Sequence, residues 1–256
     1  MNVSSTPGYD VIGDVHGCAI QLEALLNKLG YQVGESGGYY KHPRRQAIFV
    51  GDLIDRGGDE QLRVLQIVKS MVDAGNARIV MGNHEFNALA YHTEWPSASG
   101  KFLRPPHDDP DNPWSTKNTK QHAAFLEQVQ GDDRCVYLEW FSTLPLWLDL
   151  GGLRVVHACW HDDSIKLVES RCGSSAPPFT ELSHLVAAST EGNPLYEAVE
   201  TLLKGPRNQP CRPWTTGVPR QGRHRARPGA GAMVEQRGPY TSRHRRNGWS
   251  FHHLHR

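Results

Sequence analysis

Eight residues carry side chains that could act together in one reaction: Asp14, His16, Asp52, Asp55, Arg56, Asn83, His84 and His157. The first seven fall in three short turns, GDVHG (13–17), GDLIDRG (51–57) and GNHE (82–85), and His157 ends the run LRVVH. Carboxylates, imidazoles and an amide oxygen are ligands for borderline-hard divalent metals such as Mn, Fe and Zn, and no thiolate is required. Two metals about 3.5–4 Å apart need a shared carboxylate, so one aspartate must bridge. A guanidinium suits bidentate contact with phosphate oxygens. An imidazole titrates in the right range to deliver a proton to a leaving group.

A Gly-Asp turn alone is ordinary. What gives these weight is their placement. Tyr9 to Ile12, Ala47 to Val50, Arg78 to Met81 and Leu153 to His157 each read as a short buried strand, and each runs directly into one of the polar segments. Between them, Leu22, Leu25, Leu26 and Leu29 mark a helix ending at Gly30, and Leu62, Leu65, Val68 and Val72 one ending by Gly75. Residues 85–92 and 118–130 read as helical, and 179–204 as two helical pieces split near Gly192 to Pro194. Repeated strand–helix units predict a parallel sheet with helices packed on it, and functional groups gathered beyond the strands' carboxyl ends.

The three turns and the strand-end histidine, over residues 10–160, resemble the calcineurin-like metallophosphoesterases. More narrowly they are similar to the phosphoprotein phosphatase family with its bacterial and phage members, since Asp-Arg-Gly and the Glu after Asn-His set this group apart from the nuclease branches. The resemblance implies an α/β fold, a β-sandwich of mixed sheets flanked by helices. It also implies roles. Asp14 and His16 hold a first metal, Asp52 bridges, and Asn83 and His157 hold a second. His84, oriented by Asp55, is the general acid, and Arg56 grips the phosphate oxygens. The cofactors implied are two divalent ions, Mn first, Fe or Zn otherwise. The reaction implied is hydrolysis of phosphate monoesters, with phosphoserine or phosphothreonine in proteins as first substrate. Relatives that split dinucleoside polyphosphates share the same motifs and supply the alternative. His161 and Asp162, close behind His157, are further candidates for lining the site.

Two features depart from the family pattern. A late metal-ligand His, usually after Gly, has no counterpart: there is no Gly-His pair, His184 lies in a helical stretch, and His224, His244, His252, His253 and His255 lie in an unusual tail. The family's second phosphate-gripping Arg has only Arg171 as a match by order. Residues 1–204 carry 17 Lys and Arg against 26 Asp and Glu, whereas residues 205–256 carry 11 Arg, no Lys and one Glu. That tail also holds 7 Gly and 6 Pro, and shows no strand pattern. The expectation is a catalytic domain over 1–204, with 93–150 as lid or insertion, and a tail over 205–256 that is disordered or the product of a frameshift near 205–207. A basic arm for nucleic acid is a further reading of the tail. The second sheet would then be incomplete, and an impaired, non-catalytic chain becomes a third functional reading.

Composition bounds the rest. At 256 residues the chain suffices for one sizeable α/β domain. No apolar run approaches a bilayer span, and the first ten residues lack a signal-peptide pattern, so no membrane partner is expected. Five cysteines in no CxxC pair argue against a disulfide framework and for the cytoplasm.

Overall fold

The computed structural model describes residues 8–34, 39–106, 112–173, 178–206, 233–236 and 252–253, the last two segments as backbone alone. The expected strands and helices appear in order, with one unexpected hairpin (β2 and β3) among them: β1 (Gly8–Ile12), α1 (Ala19–Lys28), β2 (Gln32–Val33) and β3 (Tyr40–Lys41), β4 (Arg45–Phe49), α2 (Gln61–Asp73), β5 (Ala77–Ile79) and α3 (Asn83–His92). Then come α4 (Ser115–Gln128), α5 (Gly131–Ser142), β6 (Trp147–Asp149), β7 (Leu153–Val156), α6 (Asp162–Cys172), a 3-10 turn at Pro178–Thr180, α7 (Leu182–Ser189) and α8 (Pro194–Lys204). Two strands close the described chain, β8 (Met233–Gln236) and β9 (His252–His253).

β5, β4 and β1 lie side by side and parallel, in the order β5-β4-β1-β9, with β9 antiparallel at the edge. A second, antiparallel sheet runs β6-β7-β8. The period-2 alternation of the strands decides which face each residue buries. Ile12, Ala47, Phe49 and Ile79 join the core formed with Leu22 and Leu26 of α1 and Val64 and Val68 of α2. Val11, Ile48, Val50 and Val80 point the other way, onto Leu153 and Val155 of β7. The sheets therefore face each other across an apolar layer, with helices on the outside, as the α/β sandwich requires. Phe49 and Phe125 are fully buried, so truncating either to Ala costs about 3–5 kcal/mol. The one carboxylate on the helix side of β1, Asp10, is balanced by Arg45, whose Nε and Nη2 donate to it at 2.6 and 2.5 Å, and by the Tyr31 hydroxyl at 3.2 Å.

The tail departs from expectation. β8 pairs with β7 over four residues and β9 with β1 over two, so the region without a strand pattern gives each sheet its last strand. The pairing uses backbone groups, which an Arg- and Gly-rich sequence supplies as well as any. The frameshift, disordered-tail and nucleic-acid readings otherwise fall on residues outside those described. α6 was also not legible. Cys18, Cys135 and Cys172 are free thiols. Among the described residues no helix is long and apolar enough to cross a membrane.

Candidate metal centre

The three Gly-bounded turns leave the carboxyl ends of β1, β4 and β5 and interlock. Val15 and His16 donate their N–H groups to the Asp52 carbonyl at 2.9 and 3.0 Å, and Gly17 N–H to the Leu53 carbonyl at 2.8 Å. Glu85, fully buried, fastens the second turn to the third. Its Oε2 accepts from Asp52 N–H at 2.9 Å and Gly82 N–H at 3.0 Å, and its Oε1 accepts from Leu53 N–H at 2.8 Å. Burial and the neighbouring Asp52 charge push the Glu85 carboxyl up. At Gly51, with φ of 90°, a Cβ would lie 2.2 Å from Gly82 N, so the two backbones meet where only glycine fits. Within these turns His16 (φ 47°), Asp52 (52°), Asp55 (70°) and Arg56 (64°) hold left-handed backbones. Such conformations cost on the order of 1–3 kcal/mol each and persist where the surroundings enforce them.

That backbone aims the donors at one another. His16 Nδ1 donates to the Ile54 carbonyl at 2.8 Å, which leaves the lone pair of Nε2 facing Asp14 Oδ2 at 3.7 Å and Asp52 Oδ2 at 4.0 Å. His157 Nδ1 donates to the Val50 carbonyl at 2.6 Å, leaving its Nε2 3.6 Å from Asp52 Oδ2 and 3.2 Å from Asn83 Oδ1. Two groups of ligand atoms result, His16 with Asp52 and His84, and Asp14 with Asp52 and His157. Asp52 belongs to both, as a bridging carboxylate must. His16 Nε2 is buried without a hydrogen-bond partner. An orphaned imidazole nitrogen among converging acceptor atoms is destabilising unless a cation sits between them, so the donor set fits divalent metals. Asp14, His16, Asp52, Asn83 and His157 come together, but the grouping differs from the expected one: Asp14 groups with His157 instead of His16, and His16 groups with His84, the residue expected to act as general acid.

Asp55 and His84 form a second cluster beside the first. His84 Nδ1 donates to Asp55 Oδ2 at 2.8 Å, and its Nε2 lies 3.9 Å from Asp52 Oδ2. The other Asp55 oxygen accepts from His122 Nδ1 at 3.0 Å, and His122 Nε2 is 3.3 Å from His92 Nε2. Burial raises the Asp55 carboxyl, but the bonds from His122 and His84 outweigh it and hold the group below the usual carboxylate range. The Asp55 N–H donates to Gln61 Oε1 at 2.8 Å.

His84, Asp55 and Arg56 line a cavity of about 360 Å³, which they share with Asn83 and with three cations the sequence did not single out: Arg104, Lys120 and Lys204. Arg104 and Lys120 come from the 93–150 insertion. Arg171 does not line this cavity; it lies exposed in the last turn of α6. His161 and Asp162 do not line it either. His161 caps α6 by accepting from Ser164 N–H, and Asp162 accepts from the Trp160 indole. His184 Nδ1 bonds the Pro178 carbonyl, away from the site. The side chains of the five tail histidines lie outside those described.

Residues 9–188 match the family model described as calcineurin-like phosphoesterase. Among curated relatives, an asymmetrical bis(5'-nucleosyl)-tetraphosphatase PrpE from Oceanobacillus iheyensis is 32% identical over 149 residues, 58% of this chain and 54% of that protein. One of the same name from Bacillus velezensis is 40% identical over 163 residues, 61% of this chain and 58% of that protein. The chain thus spans little more than half the length of these relatives. Among solved structures, a protein serine/threonine phosphatase from Saccharomyces cerevisiae aligns over 64% of this chain and 41% of its own, at 20% identity and a TM-score of 0.41.

Proposed function

The chain belongs to the calcineurin-like phosphoesterase family, and from that premise we propose that it hydrolyses a phosphoanhydride of a dinucleoside polyphosphate with the help of two divalent metals. The first expectation, a phosphoprotein substrate, yields to the alternative because the relatives named above are called bis(5'-nucleosyl)-tetraphosphatases. The observation that carries the reading is the wall of the catalytic cavity. Arg56, Arg104, Lys120 and Lys204 surround it, more positive charge than one monoester demands and suited to a phosphate chain.

Asp14, His16, Asp52, Asn83 and His157 would hold the metals. When bound, such ions neutralise phosphate charge and lower the pKa of water. The chain's own side chains do the rest. Asp52 keeps both ligand groups in register, because its backbone is pinned by Glu85 and its Oδ1 accepts from His84 N–H at 3.0 Å. Arg56, exposed at the cavity, grips non-bridging oxygens of the phosphate under attack. His84 presents Nε2 to the leaving oxygen, and Asp55 holds the ring in the tautomer with its proton on Nδ1, stabilising the charged ring before it gives up the Nε2 proton. Residues 1–204 constitute the catalytic unit in this reading, and the 93–150 insertion shapes specificity.

The test is side-by-side turnover of diadenosine tetraphosphate and a phosphoserine peptide with Mn²⁺ present and Asp52→Asn as control. Preference for the dinucleotide, lost in Asp52→Asn, supports the reading. Preference for the peptide returns the chain to the protein phosphatases. Folded protein inactive on both substrates overturns the enzymatic reading.

A further inference from the structure

A second cavity of about 430 Å³ opens beside the first, and the two share Asn87, Arg104, Asn118, Gln121 and Lys204. Arg104 is thus in the wall of both. Its guanidinium donates to two neutral amides, Gln121 Oε1 at 2.9 Å and Asn87 Oδ1 at 3.3 Å, and to no carboxylate among the described residues. The nearby carboxylates of Asp55 and Glu200 act on this half-buried cation through space without bonding it. Burial pulls its pKa down by more than those two carboxylates raise it.

Beyond Arg104 the lining changes character. Trp114 is 60% exposed at the rim, with Lys117 Nζ 4.9 Å from its ring centroid, and Tyr196 of α8 is also in the wall. Lys117 lies over the indole, and a planar base laid on the ring's remaining exposed area removes apolar surface from solvent. Deeper in, Ser189 Oγ at the end of α7 is buried with no hydrogen-bond partner. A buried, unsatisfied hydroxyl in the wall of a polar cavity calls for a partner, and a polar atom of a ligand would supply one.

We propose that this second cavity, walled by α3, α4, α8 and the end of α7, is the subsite for the distal nucleoside of a dinucleoside polyphosphate. The base stacks on Trp114, Ser189 meets a polar atom of the sugar or base, and Arg104 with Lys204 carries the intervening phosphates from the metal centre. The Lys204 ammonium is shared with Glu200, so the charge at that point is partly neutralised and Arg104 is the principal cation shared by the two cavities. The inference rests on the dinucleotide reading of the same site.

Calorimetric titration of the Mn²⁺-loaded chain with ATP and with inorganic triphosphate separates base from phosphate recognition. ATP binds about tenfold tighter than triphosphate, the size of one base on one indole. Trp114→Ala removes most of that gap, and Ser189→Ala narrows it by about threefold, the loss of one modest hydrogen bond. Equal affinities in the unaltered chain, or a gap that survives Trp114→Ala, would overturn the subsite. Turnover of diadenosine tetraphosphate reads the underlying function separately. Turnover without the affinity gap sinks the subsite alone, and an affinity gap without turnover keeps the subsite but sinks the proposed reaction.

Discussion

Asp55 is shared between two histidines: His84 Nδ1 reaches one oxygen at 2.8 Å, and His122 Nδ1 reaches the other at 3.0 Å. His122 is 4% exposed and stacks on Phe125, so its ring is fixed by packing on one side and by Asp55 on the other. A carboxylate with both oxygens engaged has one orientation, and His84 inherits it. His122→Phe leaves an Asp55 oxygen without its donor. We expect kcat to fall about tenfold with KM changed less than about twofold, since proton delivery and not phosphate binding is disturbed. His122→Asn, which can offer an amide N–H near the Nδ1 position, restores part of the loss. A pH–rate profile identical in both variants and the parent would assign His122 to packing alone.

Much of the metal cluster was legible because its residues are local: each ligand sits one to four residues beyond a strand, in a turn spelled by glycine and aspartate. Asp14, His16, Asp52 and Asn83 follow parallel strands that end at one edge, whereas His157 follows β7 of the antiparallel sheet and meets Asp52 from the facing layer, which the expectation of a single sheet edge did not foresee. His122 and Arg104 were not legible for the same reason in reverse. Each enters the site from the insertion, and a His in one helix or an Arg in an irregular loop carries no mark of what the tertiary fold will bring to it. β8 and β9 escaped because strand pairing at a sheet edge is made by the backbone, so side-chain alternation gave no warning. α6 escaped because its start is capped by a histidine, His161, and not by one of the usual capping residues.

Asp52→Asn tests the shared carboxylate without removing its shape. The Asn Oδ1 can still accept from His84 N–H, so melting by circular dichroism changes little. Losing the charge common to both ligand groups weakens Mn²⁺ binding by about 100-fold or more, the range seen when a key ligand environment is altered. Equilibrium titration of Mn²⁺, followed by electron paramagnetic resonance, measures this without substrate. Unchanged affinity would remove Asp52 from the bridging position.

Glu85 never touches the cavity, yet three turn N–H groups depend on it. Glu85→Gln places an amide NH₂ opposite at least one of those donors and leaves it unsatisfied in a fully buried place. The cost is about 2–3 kcal/mol. For a chain of this size that lowers Tm by about 5–10 °C. Differential scanning calorimetry checks it, and a shift below about 2 °C would mean the turns hold each other without the carboxylate.

His92 gives the pH dependence of stability a direction. Burial first, then the positive charges of His122 and Arg134, push its pKa down to about 4. The unfolded chain takes up this proton near pH 6.5, the folded chain only near 4. Stability from this group is therefore complete above about pH 6.5 and is lost as pH falls toward 4, because the unfolded state binds more protons in that window. With the ring partly open to solvent, the loss is on the order of 1 kcal/mol. Urea melts between pH 7 and 4 should show a shallower decline in His92→Phe than in the parent. Parallel slopes would exclude His92 as the source.

The leaving group decides how much His84 matters. Cleavage of a phosphoanhydride expels a nucleotide whose terminal phosphate is stable as an anion, while cleavage of phosphoserine expels an alkoxide that must be protonated. By Brønsted reasoning an acid contributes more as the leaving group becomes more basic. His84→Asn should therefore reduce hydrolysis of diadenosine tetraphosphate by about tenfold, but hydrolysis of an alkyl phosphate by about 10³-fold, near the middle of the range for general acid catalysis. Asp55→Asn should follow the same pattern at smaller amplitude, because the amide leaves one acceptor oxygen for the two donors His84 and His122 and removes the charge that holds the His84 ring. The ratio of the two losses in one variant is insensitive to misfolding, since a damaged fold would lower both alike. Equal losses on both substrates would deny His84 the role of proton donor and make it an electrostatic neighbour of Asp52, which its Nε2 approaches to 3.9 Å.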